Sequence, residues 1–559
     1  MTLYESGASN QFILHGNVSD RVLLPSPEQV AGGAPGAADA PSPLASTLGD
    51  LSDFVLRVLL PRFDVVLSYD LGNGIRIEKG GEELAKWPTF QQSKGNSPQN
   101  PRGAIEFLTQ FFRYAANLRR MGRTSLQVGL LMRGAHLIAP ALRGGFSYDL
   151  SALSSLVRDW GSETLLTEHS LATFLVADNL SDLHPIITSN PRASQIEIPL
   201  PGVPELAAAL KTLAPSYAMA MSLFATEPAK PAEQLSGATL ASVESLLKTM
   251  HHKGTAIAPK DLAKLKKELV ERDSQDLIEF VDSSRTMDDL YGQEKVKAWL
   301  RQDIALWQAG DTKAMPMGYL ICGPVGTGKT FMVECFAGEA GVPVVKLKNF
   351  RDKWVGSTEG NLEKIFRLLH ALGRCVVFVD EADQALGRRN ADSGDSGVGG
   401  RVYSMLAQEM SDTRNRGKIL WILASSRPDL IEVDLKRPGR VDVKIPLFPT
   451  LDPRESFVLI RALAKRRGLD LAESDFDAVK DRVPLLLTPG AAEALAVKVY
   501  RTVRTAPAPG LTAVQALSQA LAEYQNPVPR ETMDFQIGLA VREASDLEFV
   551  PAALRNRAP

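Results

Sequence analysis

GYLICGPVGTGKTFM, residues 318–332, joins an apolar strand to a helix through a glycine-rich loop. Gly323, Gly326 and Gly328 free the backbone to turn its N–H groups inward around phosphate oxygens. The helix that follows adds free N–H groups and its positive end. A glycine turn with only a structural job would need no Gly-Lys-Thr here. Lys329 is placed to reach β- and γ-phosphates and Thr330 to ligate Mg²⁺. The loop as a whole, with Pro324, Val325, Thr327 and Phe331, is expected to cradle ATP.

Further along, CVVFVDEADQAL at 375–386 reads as a buried strand ending in an acid pair. Asp380 and Glu381 then fall at the carboxyl edge of the sheet, beside the loop. Asp380 is expected to hold the Mg²⁺ shell through water. Glu381 is expected to polarise the attacking water, since a carboxylate is a competent base at neutral pH. VPVVKL (342–347) and ILWILASS (419–426) are further apolar strands between helical stretches, and residues 453–530 turn largely helical. Short apolar strands alternating with amphipathic helices predict an α/β fold around a parallel sheet.

The first half repeats this grammar. FILHGNVSDRVLL (12–24) reads as a strand and turn. FDVVLSY (63–69), LQVGLLM (126–132) and ATFLVAD (172–178) read as strands, with helices over 104–120 and 151–160. Polar inserts are expected at 25–49 and about 88–101, the first of them flexible. QIEIPLPG (195–202) resembles VDVKIPLFP (441–449), and each follows an arginine-containing turn and an apolar strand. That matched order predicts two diverged copies of one α/β fold. The first copy has no Gly-Lys-Thr loop, and Arg133 and Gly134 stand where an acid pair would fall, so it is expected to be degenerate. Residues 259–283 read as charged helix joining the copies.

Composition narrows the function classes. The chain has 559 residues, 44% hydrophobic and 23% charged, with a formal net charge of -2. These are ordinary globular values, and the charge balance gives no reason to expect a nucleic-acid or anionic-membrane binder. Cys322, Cys335 and Cys375 lie in apolar runs and fit packed, reduced thiols, which points to cytoplasm. No signal segment and no uninterrupted apolar run of about 18 residues is present, which argues against membrane insertion.

Five ordered motifs carry a family resemblance: DDLYGQEKVKAWL (288–300), the phosphate loop, KWVGSTEGNLEKIF (353–366), VVFVDEAD (376–383) and LKRPGRVD (435–442). Residues 285–530 resemble an AAA ATPase of the group containing FtsH, katanin and the N-ethylmaleimide-sensitive fusion protein. The resemblance implies a homo-oligomeric ring, usually a hexamer, with ATP between adjacent subunits. It implies Tyr291 and Gly292 beside the adenine, and Arg437 and Arg440 reaching a neighbour's ATP, for which guanidinium forks are chemically suited. Lys353, Trp354, Val355 and Gly356 match a channel loop that grips extended polypeptide, and 388–401 matches a second, Gly- and Ser-rich loop expected to be disordered in an isolated subunit.

Two departures stand out. Ser426 occupies the usual sensor asparagine position, and TPGAAEAL (488–495) resembles the lid-helix motif without its arginine. A degenerate lobe before an active one resembles the two-lobed AAA proteins of cyanobacteria and plastids.

The expected division is a degenerate AAA-like α/β lobe at 1–204, a helical lid and connector at 205–284, an AAA α/β domain at 285–450 and a helical lid with C-terminal segment at 451–559. The expected activity is hydrolysis of ATP to ADP and phosphate, with ATP and Mg²⁺ as cofactors. It would drive remodelling, unfolding or disassembly of a protein substrate, with a substrate or adaptor engaged through the first lobe. The competing reading is a nucleotide-gated scaffold with slow turnover. A nucleic-acid translocase is disfavoured by the charge balance, and the absence of an HExxH run argues against a fused zinc protease.

Overall fold

A computed structural model of the chain describes residues 1–25, 47–92, 96–141, 147–167, 171–258, 262–274, 277–281, 283–348, 358–386, 396–506 and 510–557. The chain divides into two compact units, Met1–Asp276 with Trp354–Leu372, and Leu277–Lys353 with Gly373–Pro559.

The first unit contains β1 (Gln11–Gly16), β2 (Arg21–Leu24), β3 (Thr47–Asp50), β4 (Val65–Asp70), β5 (Gly74–Lys79), β6 (Val128–Met132), β7 (Leu171–Ala177) and β8 (Ala193–Ile198). Its main sheet runs β5-β4-β6-β7-β1-β8, parallel except for β5. β6, VGLLM, is buried at every position, as a parallel strand covered on both faces must be. α1 (Pro101–Arg120) and α2 (Tyr148–Asp159) supply one apolar layer, in which Trp160 donates to the Thr109 hydroxyl at 2.9 Å. Phe12 and Phe174 stack in the other layer. α3 (Val203–Leu213), α4 (Leu240–His252) and α5 (Leu262–Asp273) build a separate helical core.

The second unit has β9 (Ile278–Val281), β10 (Gly318–Cys322), β11 (Val344–Leu347), β12 (Cys375–Val379), β13 (Ile419–Ser425) and β14 (Val443–Pro446). Their order is β14-β10-β13-β12-β11-β9, parallel except for β9. α6 (Glu294–Ala309) and α7 (Lys329–Ala340) pack on this sheet. The next helix, α8 (Thr358–Leu372), groups with the first unit. α9 (Ser396–Met410) precedes β13. α10 (Pro453–Arg466), α11 (Pro489–Thr505) and α12 (Ala513–Ala522) share a helical core, and α13 (Arg530–Glu543) follows.

Strand for strand the two sheets have one order: fifth parallel strand, first, fourth, third, second, then an antiparallel edge. That agreement supports the duplication read from 195–202 and 441–449. The edges arise differently. β5 is a hairpin partner following β4, whereas β9 precedes its whole sheet.

Several local expectations are corrected. Of the insert at 25–49, residues 26–46 lie outside the described residues, while Thr47–Asp50 pairs with β2 because Leu48 covers the helical core. Within 88–101, Pro88–Gln92 is helical and 93–95 lie outside the described residues. The charged helix expected over 259–283 stops at Asp273. Ile278 and Phe280 alternate inward and pair with β11, a period-2 signal too short to stand out beside the lysines. The Gly- and Ser-rich segment 388–401 becomes helical from Ser396, with 387–395 outside the described residues. β5 was not anticipated, since its edge position leaves most of GIRIEK exposed.

Candidate nucleotide site

In the second unit the loop leaving β10 bends where a side chain cannot go. Gly323 has φ 153° and its absent Cβ would run into the Leu447 carbonyl of the adjoining strand end. Gly326 has φ 83°, and a Cβ there would meet Thr488 Oγ1 at 2.9 Å. The glycines are thus demanded by β14 and the start of α11 as well as by any phosphate. Lys329, the first residue of α7, donates Nζ to the carbonyls of Gly323 and Pro324 at 2.9 and 3.0 Å. Burial pushes its pKa down, while Asp380, Asp383 and Glu381 oppose the shift. A half-buried ammonium held by two carbonyls suits an anionic partner.

Asp380 and Glu381 follow β12. Asp380 Oδ2 accepts from Thr330 Oγ1 at 3.3 Å and from Lys346 Nζ at 2.9 Å. Glu381 adopts the left-handed conformation, φ 47°, rare for a residue with a Cβ, and its side chain is exposed. Ser425, the last residue of β13, donates to Asp383 at 2.5 Å.

These groups surround a cavity of about 1150 Å³, ample for a nucleoside triphosphate. Tyr291, Gly292, Val325 through Phe331, Asp380, Glu381 and Ser426 all line it. Gly323 and Pro324 stand behind the wall, their carbonyls turned to Lys329. Arg437 and Arg440 are not part of the lining, and both pair with Asp434. Lys353, Trp354, Val355 and Gly356 lie outside the described residues. Carbonyl, hydroxyl and carboxylate oxygens at Thr330 and Asp380 suit a hard divalent cation, so the donor set fits Mg²⁺.

The cavity therefore combines a glycine-rich loop, a half-buried lysine and a carboxylate pair on one sheet. Residues 319–448 match the family described as "ATPase family associated with various cellular activities (AAA)". Residues 2–199 match "AAA+ chaperone, N-terminal Rossmann-like domain". The two matches put an AAA domain after a Rossmann-like AAA+ lobe in one chain. Among curated relatives, the AAA region is similar to the ATP-dependent zinc metalloprotease FtsH of Lancefieldella parvula, 31% identical over 211 residues, covering 36% of this chain and 33% of that protein. It is also similar to the Cell division cycle protein 48 homolog of Archaeoglobus fulgidus, 33% identical over 171 residues, covering 29% and 23%. The chain thus spans a third or less of the length of these relatives.

The Rossmann-like lobe has a turn where the AAA domain has its phosphate loop. Gly16, φ 105°, ends β1, and a Cβ there would meet the Ile198 carbonyl at 2.6 Å, the same conflict that Gly323 resolves. The turn then closes on a carboxylate. Asp20 accepts from Arg21 N at 2.7 Å, Asn17 Nδ2 at 2.9 Å and the N–H groups of Leu240 and Ala241 at 3.0 and 2.8 Å, capping α4. Donors that could serve a phosphate are consumed by a fixed negative charge. Arg133, at the acid-pair position, pairs with Asp70.

Sequence reasoning missed the cavity wall built by residues 548–555, from Glu548 to Arg555. LEFVPAAL carries no motif, and only the chain's return across the sheet brings it there. No helix among the described residues is long and apolar enough to cross a membrane.

Proposed function

We propose that this AAA+ ATPase hydrolyses ATP to ADP and phosphate and uses the cycle to remodel, unfold or disassemble protein substrates as a homo-oligomeric ring. The observation that carries the reading is convergence of Lys329, Thr330, Asp380 and Glu381 on one cavity. Lys329 compensates β- and γ-phosphate charge, and the loop's N–H groups orient the chain of phosphates. Glu381 takes the proton of the attacking water as it adds to the γ-phosphorus. Thr330 and Asp380 would hold Mg²⁺, which when bound neutralises phosphate charge. Ser426 contacts phosphate or water at the sensor position with a shorter reach than asparagine. Tyr291 and Gly292 border the base.

Support for a protein substrate comes from KWVG at 353–356 and from the first lobe's match to an AAA+ chaperone domain. The domain division at 204, 284 and 450 belongs to the same reading, as does a cytoplasmic site of action.

The test is a Glu381→Gln chain, which should retain ATP binding and lose most turnover, whereas Lys329→Ala should lose binding. Proteins held by Glu381→Gln in ATP should be released, altered in fold or assembly, by the parent. Release that needs no hydrolysis would favour the scaffold alternative, and parent-rate hydrolysis by Glu381→Gln would remove it as the base.

A further inference from the structure

We propose that Arg555, carried by the segment after α13, is a positioning residue that holds the polyphosphate of the nucleotide in its own subunit. This rests on the reading of the cavity as the ATP site. It supplies a cation that α11 does not, since α11 contributes Pro489, Gly490 and Glu493 to the lining and no basic side chain.

The segment is anchored to the second unit at several points. Glu543, at the end of α13, bonds Lys436 at 2.5 Å and Lys444 at 2.9 Å. Ser545 exchanges two hydrogen bonds with the backbone of Lys444, at 2.8 and 3.1 Å. Phe549 meets Trp299 edge-on, centroids 5.5 Å apart. On the phosphate loop itself, Val325 N–H donates to the buried Gln536 Oε1 at 3.2 Å. The wall ending in Arg555 therefore moves with the phosphate loop.

Four arginines line the cavity: Arg285, Arg466, Arg467 and Arg555. Three have carboxylate partners, in Glu334, Asp289 and Glu493 respectively. Arg555 has none among the described residues. Its Nε donates to the Val550 carbonyl at 3.2 Å, and among the described residues neither terminal nitrogen has a hydrogen-bond partner. Carboxylates such as Glu548 also line the cavity, but none pairs with Arg555 among the described residues, and phosphate oxygens are a chemical complement for its guanidinium.

Calorimetric titration of the full chain with ATP, ADP and adenosine tests this. Arg555→Ala should weaken ATP at least fivefold and ADP less, and should leave adenosine and the ligand-free melting temperature unchanged. Arg555→Lys should recover part of the ATP affinity, and Arg555→Glu should weaken it further than alanine. Unchanged ATP affinity in Arg555→Ala and Arg555→Glu would overturn the assignment while leaving the ATP site standing. Equal weakening of ATP and adenosine would also overturn it, showing a wall residue that shapes the base pocket. A parent chain that binds neither ATP nor ADP would instead overturn the reading on which this rests.

Discussion

Lys346 on β11 donates to Asp380 Oδ2 at 2.9 Å, the same oxygen that accepts the Thr330 hydroxyl. The ammonium is about one-third exposed and lies 5.6 Å from the centroid of the Phe378 ring, so it is a steered but solvated cation. It neutralises the carboxylate expected to help hold Mg²⁺, and the two cations compete for one charge.

Lys346→Met should therefore lower the Mg²⁺ concentration at half-maximal ATP turnover. A solvated ion pair is worth about 0.2–1 kcal/mol, so the midpoint should fall by about 1.4- to fivefold. Magnesium titrations of parent and variant at saturating ATP decide it. A midpoint that rises would mean Lys346 organises Asp380 for the metal rather than competing with it.

Glu543 gives a pH prediction. Burial raises its pKa, but hydrogen bonds from Lys436 and Lys444 outweigh this and hold it below the usual glutamate range. A carboxylate with a lowered folded pKa stabilises the fold above its unfolded value, near 4.5, and the contribution disappears as pH falls through the folded pKa. Glu543→Gln should cost about 2–3 kcal/mol at pH 7, since it leaves two shielded ammonium groups without their acceptor. The deficit should shrink toward zero below the folded pKa, as read by urea unfolding from pH 7 down to 3. A cost that stayed constant with pH would show packing, not charge, to be the source.

Arg367 on α8 donates to Asn179 Oδ1 at 3.1 Å, and a Cβ at Gly16 would meet its Cδ at 3.4 Å. Burial lowers its pKa, opposed by Glu363, Glu197 and Asp178. The side chain sits beside Gly16 at the end of β1. Arg367→Ala should speed amide exchange over 358–372 and 178–182 about tenfold, the scale of one charged hydrogen bond, with ATP affinity unaltered. Exchange rates indistinguishable from the parent would show α8 to be held by its other contacts, among them that of Glu363 with Ser181.

How far these features could be read in advance depended on whether chemistry was local. GPVGTGKT and the strand ending in Asp380 and Glu381 announce themselves because loop, helix end and carboxylate edge are contiguous in sequence. The parallel strands were legible for the same reason, each being a short apolar run. β9 and β5 were not, because edge strands are half exposed and borrow their pairing from elsewhere. Gln536, Arg555 and the Lys346–Asp380 bond are joined only by the folded sheet, across separations that no local pattern records.

Arg437 and Arg440 bear on assembly. Within one chain both are tied to Asp434, Arg440 also donating to its carbonyl at 2.7 Å, and neither lines the cavity. Two fixed guanidinium groups outside their own site are what a ring needs if each subunit completes its neighbour's. Arg440→Ala should then lower turnover by about 10³-fold, the low end for an arginine supplied to a phosphoryl-transfer site, with ATP affinity little changed. Lys329→Ala should be inactive for a different reason, having an intact arginine and no phosphate grip. Mixed one to one, the two inactive chains should recover activity, because an Arg440→Ala subunit keeps a working cavity and a Lys329→Ala neighbour keeps the arginine. With random placement in a head-to-tail ring roughly a quarter of the sites become complete. ATP hydrolysis measured across mixing ratios, with an affinity tag on one variant and co-purification of the other confirming mixed rings, reads the result directly. Mixed rings without recovered hydrolysis would mean that Arg440 serves its own subunit, and the pairing with Asp434 would then have to break in cis for it to reach phosphate.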